Sequence, residues 1–600
     1  MPGNATINDV SGQMFDIVVV GGGTAGLCLA AKLSDNPNLS VLVLDAGEVS
    51  VDDPKILLPG QYGVHFGQEE YDWSFKTTPQ KFSNGRQVDW NRGKVLGGSS
   101  AINFMCWTKP SVQEVDDWER LGNPGWNWAN FERHLHAIEG YHPPLAKSVA
   151  AHGLNFDHYN LGKEGPVKLY HCATITRPER YAYQTALNLG IQPAPAPMGG
   201  DTNGVYFAPK SINHEDYTRS YSVTAFYEKY KDRPNFRVLT RAYVTRLVTS
   251  TGDKLKADGV EFSYDGRIHV VKVGKEAVLS AGALKSPQIL ELSGVGRREV
   301  LGSIGVPVKL DLPGVGENIQ EHMFSGMSFE LADGVDDITM DALRDPSQLA
   351  EQARLHKLEE GSHTLGITGF VFAPMAKISD RAKELYDAAK KKVADNWSSY
   401  PEGLKEQYKI QLERLDNGCA PCEVVLTPGF LTFPNPPVPG KKYFTLLFCL
   451  NHPFSRGTIH AISSDPAKDP EFDPHYFEHD LDLQTFVELC KFARKMSKTA
   501  PLRDLLKENP EINPGVDVDS DSKLGEFIKN YASTTFHTIG SLSMLPHEKG
   551  GVVDSNLKVY GTSNIRVADL SVIPLHLAAH TLSLAYAIGS YGAEIIKNTL

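Results

Sequence analysis

The chain has 600 residues, of which 41% are hydrophobic and 22% are charged, a composition typical of a globular protein with a large core and about two to four domains. Its 72 acidic residues outnumber its 60 basic residues, and the formal net charge of −12 argues against nucleic acid or an acidic membrane as the main partner. The N-terminus lacks the basic and apolar regions of a signal peptide, and no apolar run approaches the roughly 18 residues of a spanning helix. We therefore expect an intracellular, cytoplasmic protein without a membrane partner.

The first predicted elements form a βαβ unit. Residues 15–20 are an apolar, β-branched run, which is typical of a strand buried on both faces of a parallel sheet. A glycine-rich turn follows, then a small apolar stretch at 27–33 that predicts a helix, and then a second buried strand at 41–44. Asp45 ends that strand. This order of elements is the context in which a glycine fingerprint for dinucleotides has physical meaning.

The turn between the first strand and the first helix carries that fingerprint. Gly21 permits the tight turn, Gly23 lets a pyrophosphate approach the backbone, and Gly26 lets the helix pack closely on the strand. The helix N-terminus offers free N–H groups to phosphate, and Asp45 can accept both hydroxyl hydrogens of an adenosine ribose. A merely structural tight turn is the alternative. The pattern predicts a dinucleotide site but does not separate NAD from FAD.

The remaining elements alternate along the chain without internal repeats. A charged stretch at 377–415, rich in Lys and Glu, predicts a solvated helical excursion with no special function. We predict strands at 236–239, 277–280, 443–450 and 565–569, and helices at 287–292, 481–497 and 581–596.

The seven cysteines are sparse and odd in number, which argues against a disulfide framework. Cys419 and Cys422 have the spacing of a redox motif or a zinc knuckle. Because no second Cys or His pair is placed to complete a metal site, we favour a plain loop and expect no bound metal.

Several blocks of sequence resemble those of one enzyme family. The glycine- and serine-rich block 93–103, which continues to Trp107 and Pro110, resembles the first signature of the GMC (glucose–methanol–choline) oxidoreductases, and the block 282–296 resembles the second. His537, in a His-Thr-Ile-Gly-Ser segment, and His580 resemble the active-site pair of that family. The blocks occur in the family's order, the resemblance runs from about residue 15 to 597, and the chain resembles intracellular fungal members.

The resemblance implies a two-domain protein. It implies an α/β FAD-binding domain of Rossmann-like GMC type, assembled from residues 14–160, 231–330 and 546–600. It also implies an α+β substrate domain with an antiparallel sheet, assembled from residues 161–230 and 331–545.

The resemblance also implies FAD as the cofactor. We expect it to be held without a covalent link, because Arg92 precedes Gly93 and no histidine lies between Val88 and Asn103. By resemblance, residues 103–106 pass beside the isoalloxazine, Val244 pairs with adenine through its backbone, and Asp569 lies near the pyrophosphate. For individual residues of the second signature, such as Ser286, we favour plain turn chemistry as the explanation. The expected cofactor-binding residues are Gly21, Gly23, Thr24, Ala25, Gly26, Asp45, Ala46, Gly93, Val95, Gly98, Ser99, Ser100, Asn103, Phe104, Met105, Cys106, Val244, Ala568, Asp569, His580, Thr581 and Leu582.

The two matched histidines predict the chemistry. Oxidation of an alcohol by hydride transfer to flavin N5 requires a base for the hydroxyl proton, and a neutral imidazole suits that task. By its position in the motif, His537 is the expected base. His580, just before a predicted helix, is expected to hold the developing alkoxide, and the electrons would pass to O2, giving peroxide, or to another acceptor. His322 and His452 match no catalytic position, so we interpret both as structural.

The expected product is an aldehyde or a ketone, and the sequence leaves the alcohol and the acceptor open. No arginine stands at the second catalytic position to hold a carboxylate, which argues against formate as the substrate. A lyase or a photodecarboxylase on the same scaffold is the alternative function, and an inactive flavin-bound partner protein is a third. Candidate walls of an apolar substrate pocket, for each of which taken singly core packing is the favoured explanation, are Phe104, Met105, Trp107, Phe430, Phe433 and Phe536.

Overall fold

The computed structural model describes residues 4–144, 149, 156 and 159–600. Within these residues, a first seven-stranded sheet is mixed in direction. The edge strand Phe236–Leu239, the strand Val41–Leu44 and the strand Met14–Val20 run parallel and pair in that order. The remaining strands of this sheet are Tyr243–Ser250, Lys256–Tyr264, Arg267–Leu279 and Ile565–Val567.

The centre of this sheet is buried on both faces. The strand Met14–Val20 pairs with Arg267–Leu279 in parallel, and its last four residues are all buried. The helix Thr24–Leu33 packs against the C-terminal helix Leu582–Thr599. A short β-branched run with helices over it is the arrangement expected for a parallel α/β core.

The first strand turns into the first helix at a point where only glycine fits. Gly21 has φ +102°, and a Cβ there would lie 2.4 Å from the Ser280 carbonyl oxygen. A Cβ on Gly26 would lie 2.0 Å from the Gly21 carbonyl oxygen. Gly23 precedes the helix as its N-cap, and the nearest neighbour of a Cβ there would be 3.9 Å away. The first and third glycines thus allow close packing, and the second leaves open space at the helix N-terminus.

A second seven-stranded sheet, again counted over the described residues, is antiparallel throughout. Its central strands alternate apolar side chains toward two cores, and the long helix Asp480–Ser497 covers one face. Its strands are Gly204–Phe207, Met323–Leu331, Gly369–Ala373, Cys422–Thr427, Tyr443–Leu450, Leu506–Asn513 and Ser533–Thr534.

The helices surround the two sheets. The charged stretch predicted at 377–415 folds as the helices Ala382–Asp395 and Glu402–Asp416, separated by a short turn. No helix in the described part of the chain is both long and apolar enough to cross a membrane. The other helices of eight or more residues that the structure describes are Val112–Arg120, Trp128–His136, Arg177–Asn188, Leu349–His356 and Asp521–Tyr531.

The two sheets confirm the predicted fold class, an α/β domain joined to an α+β domain with an antiparallel sheet. The predicted strands at 236–239 and 443–450 coincide with Phe236–Leu239 and Tyr443–Leu450. The predicted domain boundaries stay a prediction, and the strand Met323–Leu331 of the second sheet begins a few residues before the expected boundary at 330.

Candidate functional site

A cavity of about 880 Å³ is lined by residues from both sheets and from the loops between them. It extends from the glycine turn and Asp45 to His537 and His580. The predicted site residues that line it are Gly21, Gly23, Thr24, Ala25, Asp45, Ala46, Gly93, Gly98, Ser99, Asn103, Phe104, Met105, Cys106, Val244, Asp569, Thr581 and Leu582, together with the two histidines.

Four predicted cofactor-binding residues do not line the cavity. Gly26 lies in the first turn of the helix Thr24–Leu33 and packs against the Gly21 carbonyl oxygen. Val95 is buried in the apolar core, and the Ser100 hydroxyl donates to the Gly97 carbonyl at 2.6 Å. Ala568 is fully buried and pairs through its N–H with the first sheet. These residues shape the backbone around the cavity rather than its surface.

Asp45 closes one end of the cavity. Its Oδ2 accepts from the Gly22 N–H at 2.7 Å and its Oδ1 from the Gly47 N–H at 2.8 Å. Burial raises the pKa of this carboxyl to about 6, against the two amide hydrogen bonds that lower it. A carboxylate fixed by two backbone donors at the end of a parallel strand is suited to accept hydrogens from a ribose.

The glycine- and serine-rich block forms the opposite wall of this end. Gly98 has φ +52°, and a Cβ there would lie 2.9 Å from the Gly23 Cα. A Cβ on Gly93 would lie 2.2 Å from the Gly98 carbonyl oxygen. The two glycine-rich turns therefore approach each other backbone to backbone. Such a narrow cradle next to the N-terminus of the helix Thr24–Leu33 suits a pyrophosphate.

Asn103 ends this block, and its side chain is already engaged. Its Oδ1 accepts from the Met105 N–H at 3.0 Å and from the buried guanidinium of Arg219 at 2.7 Å. On the other side of the cavity, Asp569 accepts from the Gly282 N–H and the Ser286 hydroxyl, and burial raises its pKa.

His537 lies at the far end of the cavity, just after the short strand Ser533–Thr534. Its Nδ1 is 3.0 Å from Nδ1 of His322 and 2.9 Å from the Thr535 hydroxyl. Among the described residues, no hydrogen-bond partner occupies its Nε2. Burial, and then the positive charges of His580 and Arg92, hold the pKa of His537 well below its ordinary 6.5. The ring is therefore neutral at physiological pH.

His580 lies beside His537 and has the opposite character. The two ring centroids are 4.9 Å apart. His580 Nε2 is 2.7 Å from an oxygen of Glu423, a buried carboxylate on the strand Cys422–Thr427. Burial on its own would lower the pKa of His580, but Glu423 and the Cys106 thiol outweigh it and raise the pKa to about 10. His580 is therefore a cation at neutral pH.

A second buried carboxylate holds the backbone of His537. Glu321 accepts from the His537 N–H at 2.7 Å and also from the Thr538 hydroxyl. Burial raises the pKa of Glu321 to about 7, and Arg92, whose guanidinium is 3.8 Å away, opposes that shift. Arg92 also donates to the Thr538 hydroxyl at 2.5 Å and lines the cavity.

Aromatic rings form the wall next to the histidines. Phe104, Met105, Phe430, Phe433 and Phe536 line the cavity as predicted. The prediction for Trp107 is wrong, because its ring is fully buried and its indole N–H donates to Glu139 at 3.0 Å.

Sequence reasoning missed Tyr62 and Phe66, which lie in a loop and contact Phe104 with ring centroids 4.7 and 6.3 Å away. It also missed Glu423. A single carboxylate inside the otherwise apolar strand Cys422–Thr427 is the signal that could have indicated a buried partner.

The two cysteines with metal-like spacing lie away from this cavity. Cys419 and Cys422 are both buried, and Cys422 begins a strand of the second sheet. Over residues 4–144, 149, 156 and 159–600, no group of three or more His, Cys, Asp or Glu side chains is placed to hold a metal ion.

Comparison with known proteins gives matches over nearly the whole chain. Two family models, both described as GMC oxidoreductase, match residues 15–324 and 453–589. A GMC oxidoreductase family protein, Mala s 12 from Malassezia sympodialis, is 34% identical over 98% of this chain and 93% of its own length.

Solved structures also match nearly the whole chain. An FAD-dependent oxidoreductase from Chaetomium thermophilum superposes with a TM-score of 0.89 at 28% identity, over 98% of this chain and 99% of that one. A fungal aryl-alcohol oxidase superposes with a TM-score of 0.86 at 27% identity, over the same shares of the two chains.

Proposed function

Because the chain belongs to the GMC oxidoreductase family, whose members are FAD-dependent oxidoreductases, we propose that it oxidises an alcohol to an aldehyde or a ketone. One observation carries the proposal. A neutral imidazole and a cationic imidazole face the same cavity with ring centroids 4.9 Å apart. Loss of a hydroxyl proton and stabilisation of the resulting oxyanion require this combination of a base and a positive charge.

His537 is the proposed base. Its Nε2 is without a hydrogen-bond partner among the described residues, and the ring lines the cavity. Since its pKa lies well below 6.5, the ring is not already protonated at neutral pH. The substrate hydroxyl would donate its proton to Nε2. A strongly lowered pKa makes His537 a weak base in the resting protein, so the proton transfer depends on stabilisation of the alkoxide by a second group.

His580 is that second group. Its charge, held by Glu423, lies next to the point where the alkoxide oxygen develops negative charge. A preorganised cation in a site shielded from water stabilises such an oxygen more strongly than it would in bulk solvent. The same charge favours O2 as the electron acceptor, because the reduced forms of oxygen are anionic.

The residues of the cavity fit FAD held without a covalent link. The facing glycine turns, the helix N-terminus and Asp45 suit the adenosine and pyrophosphate part. The N-terminus of the helix Leu582–Thr599, which has no side-chain cap, would face the flavin end with its free N–H groups. Bound FAD would supply the acceptor for the hydride. The histidines that line the cavity among the described residues are His537 and His580, which leaves the flavin no other imidazole to bond.

We further propose an aromatic or apolar primary alcohol as the substrate. Phe66 contacts Phe536 edge to face with ring centroids 5.1 Å apart, and both line the cavity with Tyr62 and Phe104. These rings offer faces and edges to an aryl group. The absence of an arginine from the second catalytic position argues against formate, as the sequence indicates.

The direct test is flavin reduction in the His537→Ala variant, measured under anaerobic single-turnover conditions. A general base contributes about 10²–10⁴-fold, so we expect a fall of roughly 1,000-fold with the best alcohol of a panel of aryl and straight-chain primary alcohols. Peroxide release and dye reduction with the same panel identify the acceptor.

The control is His479→Ala, which removes another buried histidine, at the start of the helix Asp480–Ser497. It should keep the rate of the parent protein. A rate in His537→Ala close to that of the parent would exclude His537 as the base.

A further inference from the structure

His322 contacts the proposed base from the side away from the cavity. It precedes the strand Met323–Leu331 and is 1% exposed. Its Nε2 is 2.9 Å from the Asn451 carbonyl oxygen, which can only accept a hydrogen bond. Nε2 of His322 therefore carries a hydrogen. Burial lowers the pKa of this ring to about 3, so it is neutral and its Nδ1 bears a lone pair.

This assignment fixes the hydrogen on His537. Nδ1 of His537 is 3.0 Å from the lone pair on Nδ1 of His322. It is also 2.9 Å from the Thr535 hydroxyl, whose own hydrogen is directed to the His322 carbonyl oxygen at 3.0 Å. Both neighbours of His537 Nδ1 are thus acceptors. A neutral ring facing two acceptors carries its hydrogen on Nδ1 and its lone pair on Nε2.

His576 holds the same arrangement from a third element. Its ring stacks on His322 with centroids 3.5 Å apart. Its Nδ1 accepts from the Leu577 N–H at 3.1 Å, so its Nε2 carries the hydrogen that is donated to the His537 carbonyl oxygen at 3.0 Å. Each ring N–H of these three histidines donates to an acceptor within the protein. Two imidazoles from two other segments of the chain therefore hold His537: His322 contacts its ring and His576 its backbone carbonyl.

We propose that His322 is a positioning residue that holds His537 in the tautomer with its hydrogen on Nδ1, so that the unprotonated Nε2 faces the cavity. The inference rests on the proposed role of His537 as the base. The other tautomer would present an N–H to the substrate hydroxyl and could not accept its proton.

The cluster positions the base but does not carry its proton away. The hydrogen on His322 Nε2 ends at the peptide carbonyl of Asn451, which cannot pass a proton on. A proton taken from the substrate would therefore stay on Nε2 of His537. The role of His322 is therefore to set a hydrogen-bond direction.

Two substitutions separate this role from simple packing. His322→Leu fills a similar volume but has no hydrogen-bond acceptor in place of the His322 Nδ1. His537 can then take either tautomer or rotate. His322→Asn places an amide oxygen close to the position of the original Nδ1 and can accept from His537. In anaerobic single-turnover reduction at saturating alcohol, we expect the rate to fall about 10- to 100-fold in His322→Leu and to recover to within about threefold of the parent in His322→Asn. His479→Leu is the matched loss of a buried histidine and should keep the parent rate.

The tautomer can be read without any substrate. ¹⁵N NMR of the FAD-bound protein labelled at histidine, with His537→Gln to assign the lost signals, reports which ring nitrogen carries hydrogen. We expect a protonated Nδ1 and a bare Nε2 on His537 in the parent and in His322→Asn, and a mixture in His322→Leu.

A hydrogen on Nε2 in the parent protein would overturn the inference, as would equal rates and equal tautomers in the parent and His322→Leu. If His322→Leu does not fold, the spectra of the parent and of His322→Asn still show which ring nitrogen of His537 carries the hydrogen. Because the NMR result needs no turnover, it stands apart from the test of the proposed function: a correct tautomer without alcohol oxidation would contradict only the function.

Discussion

Two histidines of the cavity have opposite protonation states although their rings are 4.9 Å apart. The ring of His537 hydrogen-bonds neutral groups, the imidazole of His322 and the hydroxyl of Thr535, and burial keeps it uncharged. His580 meets the carboxylate of Glu423 and stays charged up to a pKa of about 10. Both side chains are buried to a similar extent. The difference therefore comes from the partner and not from the depth in the protein.

The comparison shows how one residue type can serve two roles in one site. Groups whose surroundings drive their pKa values apart are the usual basis for assigning an acid, a base or an electrostatic role. Here each charge state also stabilises the other. The cation at His580 lowers the pKa of His537, and an uncharged His537 does not repel the charge on His580. Substitutions that change one side of this pair at a time therefore separate the two roles.

On the charged side of the pair, the largest effect is expected from removal of the cation itself. In His580→Ala the imidazolium next to the developing alkoxide is lost, and we expect flavin reduction to slow by about 100- to 1,000-fold in anaerobic stopped-flow experiments. His460→Ala is the matched control. His460 is also paired with a carboxylate, Glu291, and its pKa is also raised, to about 9, but it does not line the cavity.

The same substitution leaves the Glu423 carboxylate buried without its partner, which could destabilise the fold. The double variant His580→Ala/Glu423→Gln removes both charges and should fold better than the single variant while reducing flavin equally slowly. A single variant that reduces flavin at the parent rate would show that the charge at this position is not used.

A smaller effect is expected from Glu423→Gln, which keeps the shape but removes the negative charge. Without that charge, burial, which lowers the pKa of His580, is opposed mainly by Cys106, so the pKa falls well below about 10. The groups that face His580 are then Cys106, Phe370 and the neutral His537. We expect flavin reduction about tenfold slower near pH 8.5 and a partial recovery as the pH is lowered and His580 becomes protonated again.

The measurement for Glu423→Gln is the pH profile of the anaerobic reduction rate. The parent should show no loss of rate until the pH approaches about 10. Glu291→Gln, the equivalent change beside His460, should keep the parent profile. Identical profiles for the parent and Glu423→Gln would contradict a charged His580.

The sequence predicted each member of the pair but not what distinguishes them. His537 and His580 could be placed because each belongs to a recognisable local pattern. Glu423 lies 157 residues from His580, and His322 lies 215 residues from His537, so the contacts that set the protonation states exist only after the two sheets come together. The error at Trp107 has the same origin, because a buried indole and a cavity wall look alike until its partner is known.

The sheets themselves were largely predictable because their signals are local. A short β-branched run, a glycine-rich turn and an acid at the end of the next strand all lie within about 30 residues of one another along the chain. The second sheet has no such local motif. Its strands pair across helices and long loops, and its antiparallel form came only from the family resemblance.

The stability of the protein should also depend on the charged member of the pair. The pKa of His580 is higher in the folded state than in the unfolded state, so its contribution is fully present below about pH 6.5 and is lost as the pH rises through about 10. The Tm of the parent should exceed that of Glu423→Gln by about 2 °C more below pH 6.5 than near pH 10. Thermal unfolding of both FAD-bound proteins at several pH values measures it. A Tm difference between the two proteins that grows as the pH rises would contradict a charged His580 paired with Glu423.

The smallest effect is expected on the neutral side, from Thr535→Val. The Thr535 oxygen is one of two acceptors for the hydrogen on His537 Nδ1, at 2.9 Å, and His322 at 3.0 Å is the other. With His322 still in place the tautomer is kept, so we expect the reduction rate to fall only about two- to threefold, equivalent to the loss of a shared neutral hydrogen bond. The pH profile should keep its shape, because no charge is removed. A fall larger than that of His322→Leu would mean that the hydroxyl is the main acceptor, and that the uncharged state of His537 depends on its own loop rather than on the histidine behind it.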